Sequence, residues 1–144
     1  MSHPNAVFAL LSDQAGMILL IRRRGSLLWS LPGGELRGPC QIDEMLTTYC
    51  QRQVGVSPEF ACRFTEFTLG GKRIAFGVDQ VPKARAAARG RVEAVQWVLP
   101  TTLPAQIDPS VRMAVALVQQ QAQQQQQAQA QAQLHAQAIT HPSM

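Results

Sequence analysis

The chain has 144 residues, 46% of them hydrophobic, which suits one domain with a core of ordinary size. Its formal charge is only +4, and its three cysteines, Cys40, Cys50 and Cys62, form no C-x-x-C pair, which argues against a disulfide framework and a cysteine zinc site. No apolar run reaches the roughly 18 residues of a membrane span, and no basic-then-apolar leader opens the sequence, so a soluble cytoplasmic protein with no membrane partner is expected. The histidines, His3, His135 and His141, lie near the termini and leave none inside the domain for a triad or a metal centre.

Two short apolar segments, Ala6 to Leu11 and Met17 to Ile21, flank the turn formers Ser12 to Gly16 and read as a β-hairpin. Pro32 and the pair Gly33-Gly34 then force a loop, either as a tight turn or to let backbone approach a ligand closely. From Gln41 to Val54, Ile42, Met45, Leu46, Tyr49 and Cys50 recur at the spacing of an amphipathic helix, which Gly55 stops. Phe60, Cys62 and Phe64 alternate with Ala61, Arg63 and Thr65, and Gly70-Gly71 separates that segment from Ile74 to Val81, giving two strands about a glycine turn. Lys83 to Gly90 is a basic connector. Ala94 to Leu99 reads as a buried strand ended by Pro100, and Asp108-Pro109-Ser110 offers a capped helix start before the apolar face of Val111, Ala114, Val115 and Val118.

At Gln119 the composition changes to glutamine and alanine with no charged residue thereafter, which divides the chain into a domain over 1–118 and a low-complexity tail over 119–144. Alanine and glutamine form helix readily, so the last helix can run on for some turns, but no apolar stripe is present to pack it. A disordered or frayed helix is the simplest expectation, and self-association through the tail is the functional alternative. Trp29 and Trp97 fit core positions better than base-stacking platforms.

Arginines cluster at Arg22 to Arg24, and basic residues again from Lys83 to Arg91. Without interleaved aromatics or a nucleic-acid module, these runs favour a small phosphate-bearing molecule over nucleic acid.

From Ala6 to about Val118 the sequence resembles the Nudix hydrolases. The likeness centres on Leu31-Pro32-Gly33-Gly34 and the helix leading to Val54-Gly55-Val56. The family's box, G-x5-E-x7-R-E-U-x-E-E-x-G-U with U a bulky aliphatic residue, keeps its spacing without a gap from Gly34 to Gly55 and Val56. Leu28-Trp29-Ser30-Leu31-Pro32 looks like the family's lead-in, and Val92 to Val98 followed by the helix after Asp108-Pro109 looks like its later strand and last helix. The resemblance implies an α/β (α+β) fold, a Nudix-like α/β/α sandwich with a mixed central sheet, and a nucleotide-like diphosphate as the small-molecule partner.

The box is degenerate. Its first glutamate position is Cys40, its arginine Thr48, its next glutamate Tyr49, and its final glutamate pair Arg52 and Gln53. In the family, glutamates on one helix face converge on magnesium, a hard cation that takes carboxylate oxygens. A phenol, a guanidinium and an amide do not replace them, so no metal ligands and no cofactor are expected from the box. The expectation is therefore ligand binding with weak or no hydrolysis, by Gly33, Gly34, Arg37 and Arg52, with Arg52 and Arg37 taking the electrostatic place of the metal. Asp43 and Glu44 read as solvent-facing acids favoured by the helix N-terminus. Two other acids support an alternative: Glu35 and Glu93 as catalytic or metal-ligating carboxylates of an active hydrolase, with magnesium or manganese only in that case. A third reading is a non-enzymatic module acting through the Gln/Ala tail.

Overall fold

The computed structural model describes residues 4–38, 41–60 and 63–140; Cys40 and Cys62, and the readings placed on them, lie outside these residues. In chain order the strands are β1 (Ala6–Ser12), β2 (Ile18–Arg23), β3 (Trp29–Ser30) and β4 (Gly33–Glu35), then helix α1 (Ile42–Val54), β5 (Phe64–Leu69), β6 (Lys72–Gln80), β7 (Val92–Val98) and helix α2 (Pro109–Thr140). One sheet runs β3-β2-β1-β6-β5, with β4 added to β1 and β7 added to β2. It is mixed: β1 and β6 are parallel in register from Ala6 opposite Ile74 to Ser12 opposite Gln80, and the other pairings between strands are antiparallel.

The expected hairpin is present only at its turn. Asp13 accepts the backbone N–H groups of Ala15 and Met17 through Oδ1, each at 2.9 Å, which closes the corner. Beyond Ser12 opposite Ile18, β1 and β2 part company, and β4 fills the gap by pairing Ala6, Val7 and Phe8 with Glu35, Gly34 and Gly33. The splay turns what reads as a two-stranded ribbon into one sheet with two arms, β4, β1, β6 and β5 in one and β7, β2 and β3 in the other, joined at the Ser12–Ile18 corner.

Period-2 alternation along β1 sends Val7, Ala9 and Leu11 to one face and Leu10 to the other. The first set packs with Leu46, Cys50 and Val54 of α1, and the second with Val111, Ala114 and Val115 of α2, producing helix, sheet and helix layers. Gly55 takes φ +75° and its N–H closes on Cys50 O and Gln51 O, the left-handed ending that the sequence predicted. Asp108 Oδ1 accepts the Ser110 N–H at 2.9 Å and starts α2 as expected.

Of the expected strand from Phe60, residues 61–62 lie outside the described residues; Phe60 is buried against Gly77, Arg63 N–H bonds Phe60 O, and β5 begins at Phe64. The last helix does not end with its apolar face. It continues through Thr140, and its side chains from Gln119 to Ala136 are exposed, apart from a 3.4 Å contact of Gln121 Nε2 with Thr65 Oγ1.

Candidate functional site

The helix face that carries the box positions lies along β4, and its side chains are tied to that strand's backbone. Gln53 acts as a two-point clamp on Gly33. Its Oε1 accepts the Gly33 N–H and its Nε2 donates to the Gly33 carbonyl, both at 2.9 Å. One turn earlier, the Tyr49 hydroxyl donates to the Glu35 carbonyl at 2.6 Å. The Tyr49 ring lies so close to Gly34 that a β-carbon there would stand 2.7 Å from Cζ. Gly33 has no more room: at φ +140° its β-carbon would collide with the Val7 carbonyl and stand 2.8 Å from Phe8 Cα. Both glycines thus have a packing reason to be glycine, Gly33 against β1 and Gly34 against Tyr49.

The residue that completes this arrangement is one that sequence reasoning did not single out. Arg23, at the end of β2, donates to Ser30 Oγ at 2.6 Å and to the Gly33 carbonyl at 2.8 Å, so that carbonyl is shared between Arg23 and Gln53. Burial lowers the Arg23 pKa from its ordinary value, against a smaller upward pull from Asp108 and then Tyr49. A signal was available: Leu19, Ile21 and Arg23 alternate along β2, and the first two face the α1 layer.

Arg52 is exposed at the C-terminal turn of α1 and makes no ion pair among the described residues. Arg37, 90% exposed, stands 3.8 Å from Glu35, itself 70% exposed. Glu93 is the extra residue where the β2–β7 register shifts, and its carboxylate lies 3.8 Å from Arg22, whose guanidinium sits 5.3 Å from the Trp29 ring centroid. Glu35 and Glu93 are therefore each engaged by a different arginine, and no described hydrogen bond or ion pair joins them.

The two basic runs meet. Arg24 N–H bonds Arg91 O at 2.9 Å, and Arg89 N–H bonds Gln53 O at 3.0 Å at the end of α1. The Arg89 guanidinium lies over Gly55, so close that a β-carbon there would be 2.6 Å from Nε. Arg24, Arg52, Arg89 and Arg91 are all exposed around this end of the domain, and none pairs with a described acid. Cavities of about 550 and 610 Å³ flank Val81 and Pro82 beyond the C-terminal ends of β1 and β6, and the smaller one reaches Gly55 and Val56 at the end of α1.

No protein-family model matches the chain, and no curated protein matches it by sequence. Solved structures do. A MutT NUDIX hydrolase from Burkholderia pseudomallei superposes with a TM-score of 0.61 at 19% identity, over 81% of this chain and 98% of that one. The chain has the Nudix fold. The E. coli dihydroneopterin triphosphate pyrophosphohydrolase matches this Nudix-fold chain with a TM-score of 0.61 at 15% identity, over 78% of it and 92% of the enzyme. A UDP-X diphosphatase matches at 0.64 and 18%, over 85% and 66% respectively.

Nudix-fold hydrolases imply a magnesium ion at the box helix, and the residues here do not fit one. The Tyr49 hydroxyl already donates to a carbonyl, both polar atoms of Gln53 are engaged with Gly33, and Arg52 adds a positive charge to the same face. Among the described residues no group of three His, Cys, Asp or Glu side chains is placed to hold a metal.

Proposed function

We propose that this Nudix-fold domain binds a nucleotide-like diphosphate through arginines, with weak or no hydrolysis. The observation that carries the reading is the convergence of Arg24, Arg52, Arg89 and Arg91, from three separate stretches of sequence, at the end of a helix whose box positions hold no carboxylate. Guanidinium groups supply the charge and the paired donors that a diphosphate otherwise finds in a metal. Arg52 and Arg37 contact phosphate, and Gly33 and Gly34, in strand β4, shape the adjoining backbone. Names of fold neighbours such as dihydroneopterin triphosphate pyrophosphohydrolase and UDP-X diphosphatase are consistent with such a ligand.

The test is a calorimetric titration of ADP and ATP in the presence of a chelator. Binding without metal is expected, and Arg52→Glu weakens it by about tenfold, the scale of one charged hydrogen bond. An unchanged affinity in Arg52→Glu refutes the direct contact, and no binding of either nucleotide removes the reading. Turnover with magnesium or manganese that is abolished by Glu35→Gln together with Glu93→Gln would establish the active-hydrolase alternative instead.

A second reading concerns the tail. α2 continues past Val118, and from Gln119 to Ala136 it presents about 27 Å of uncharged, exposed helix that a second copy would cover. Truncation after Val118 then abolishes self-association measured by sedimentation velocity. An identical oligomeric state in both forms rejects it.

A further inference from the structure

We propose that the loop joining β2 to β3 docks on anionic lipid surfaces, its two leucines entering the headgroup boundary while Arg24 and Arg91 bind lipid phosphate. Adjacent large apolar side chains at a loop tip form a contiguous exposed patch of the kind that seats on another apolar phase. Leu27 is 76% exposed and Leu28 41% exposed, side by side. The loop that presents them is built rather than slack. Gly25 turns it at φ +81°, Ser26 N–H bonds Arg23 O at 3.0 Å, and the Ser26 hydroxyl accepts the Leu28 N–H at 3.1 Å. Trp29 then anchors the chain, its N–H on Gln106 O at 3.0 Å and its carbonyl accepting from Asp108 N–H at 2.8 Å. The leucines are held outward from a fixed base.

Charge decides the occupant. Arg24 precedes the tip, and its backbone bond to Arg91 O sets the two exposed arginines side by side at its foot. No described carboxylate pairs with either guanidinium. An apolar tip on a cationic collar matches the two parts of an anionic bilayer surface, hydrocarbon beneath phosphate. Surface docking needs no spanning helix, and among the described residues no helix is long and apolar enough to cross a membrane. The inference shares Arg24 and Arg91 with the nucleotide reading and differs from it in the leucines, which that reading does not use.

The full chain is sedimented with vesicles of phosphatidylcholine, or of phosphatidylcholine mixed with phosphatidylglycerol. Pelleting with the mixed vesicles alone is expected. Leu27→Asn with Leu28→Asn weakens it by at least about tenfold, given the transfer free energy of a leucine side chain. Arg24→Glu with Arg91→Glu weakens it further, each arginine contributing about fivefold. Thermal unfolding verifies that both variants fold, and ADP affinity of the leucine variant stays at the wild-type value, which separates failure here from failure of the nucleotide reading. No pelleting with mixed vesicles overturns the proposal. So does pelleting that ignores the leucines but disappears with the arginines, which would identify a general polyanion surface.

Discussion

Replacing Gln53 by alanine tests whether the box helix has become a structural clamp. Gly33 is buried, and its N–H has Gln53 Oε1 as its hydrogen-bond acceptor. Stranding that donor costs about 1–3 kcal/mol, while the Gly33 carbonyl keeps Arg23 and loses less, so the total comes to about 2–3 kcal/mol. For a domain of this size that is a fall in Tm of roughly 6–10 °C. Gln51→Ala is the matched control: Gln51 lies on the same helix and donates to Ser57 Oγ at 2.7 Å, but in solvent, so its loss costs under about 0.5 kcal/mol. Urea denaturation of the three proteins measures the difference. If Gln53→Ala lies within about 0.5 kcal/mol of wild type, the clamp carries no stability and the argument from this face fails.

The glycines divide sharply. Gly33→Ala drives a methyl into β1 and occupies a backbone region reserved for glycine, which costs at least about 4 kcal/mol, whereas Gly38→Ala at φ +73° meets open space and costs about 1 kcal/mol; soluble yield and urea midpoints distinguish them. Burial, reinforced by Asp79, pushes the Cys50 thiol up to about 12. The unfolded chain then releases its proton first as pH rises, so the stability is fully present below about pH 9 and is lost between about 9 and 12, with a deficit near 1.4 kcal/mol at pH 10. Cys50→Ala flattens that part of the curve, and equal alkaline slopes in both proteins would contradict the assignment. Restoring carboxylates by Tyr49→Glu and Gln53→Glu together lowers Tm, because the donors to Glu35 O and Gly33 O are removed; a rise in Tm without metal would show that the loop does not depend on them.

Local patterns carried the helices better than the sheet. The apolar spacing from Ile42 to Cys50, the stop at Gly55 and the Asp108 cap are local signals, and each element appears at or within a residue of its expected place. β3 and β4 have two and three residues, too few for alternation to register, and two of the three residues of β4 are glycines usually read as loop. The parallel pairing of β1 with β6 joins residues more than sixty apart, which no short window contains. The side chains on the helix face, Tyr49, Arg52 and Gln53 with no carboxylate among them, were legible in the sequence itself. What they hold was not, since the role of Gln53 depends on a partner twenty residues earlier, and Arg23 is hidden among three arginines until the strand assigns it a face.

The shared Gly33 carbonyl also bears on how freely this chain can change. A glutamate at position 53 still accepts the Gly33 N–H but has no proton to give the carbonyl, so a carboxylate introduced there by itself weakens the fold. Changes at Gln53 and Arg23 are therefore coupled through the one carbonyl they share, so the tolerance of either position depends on the residue at the other.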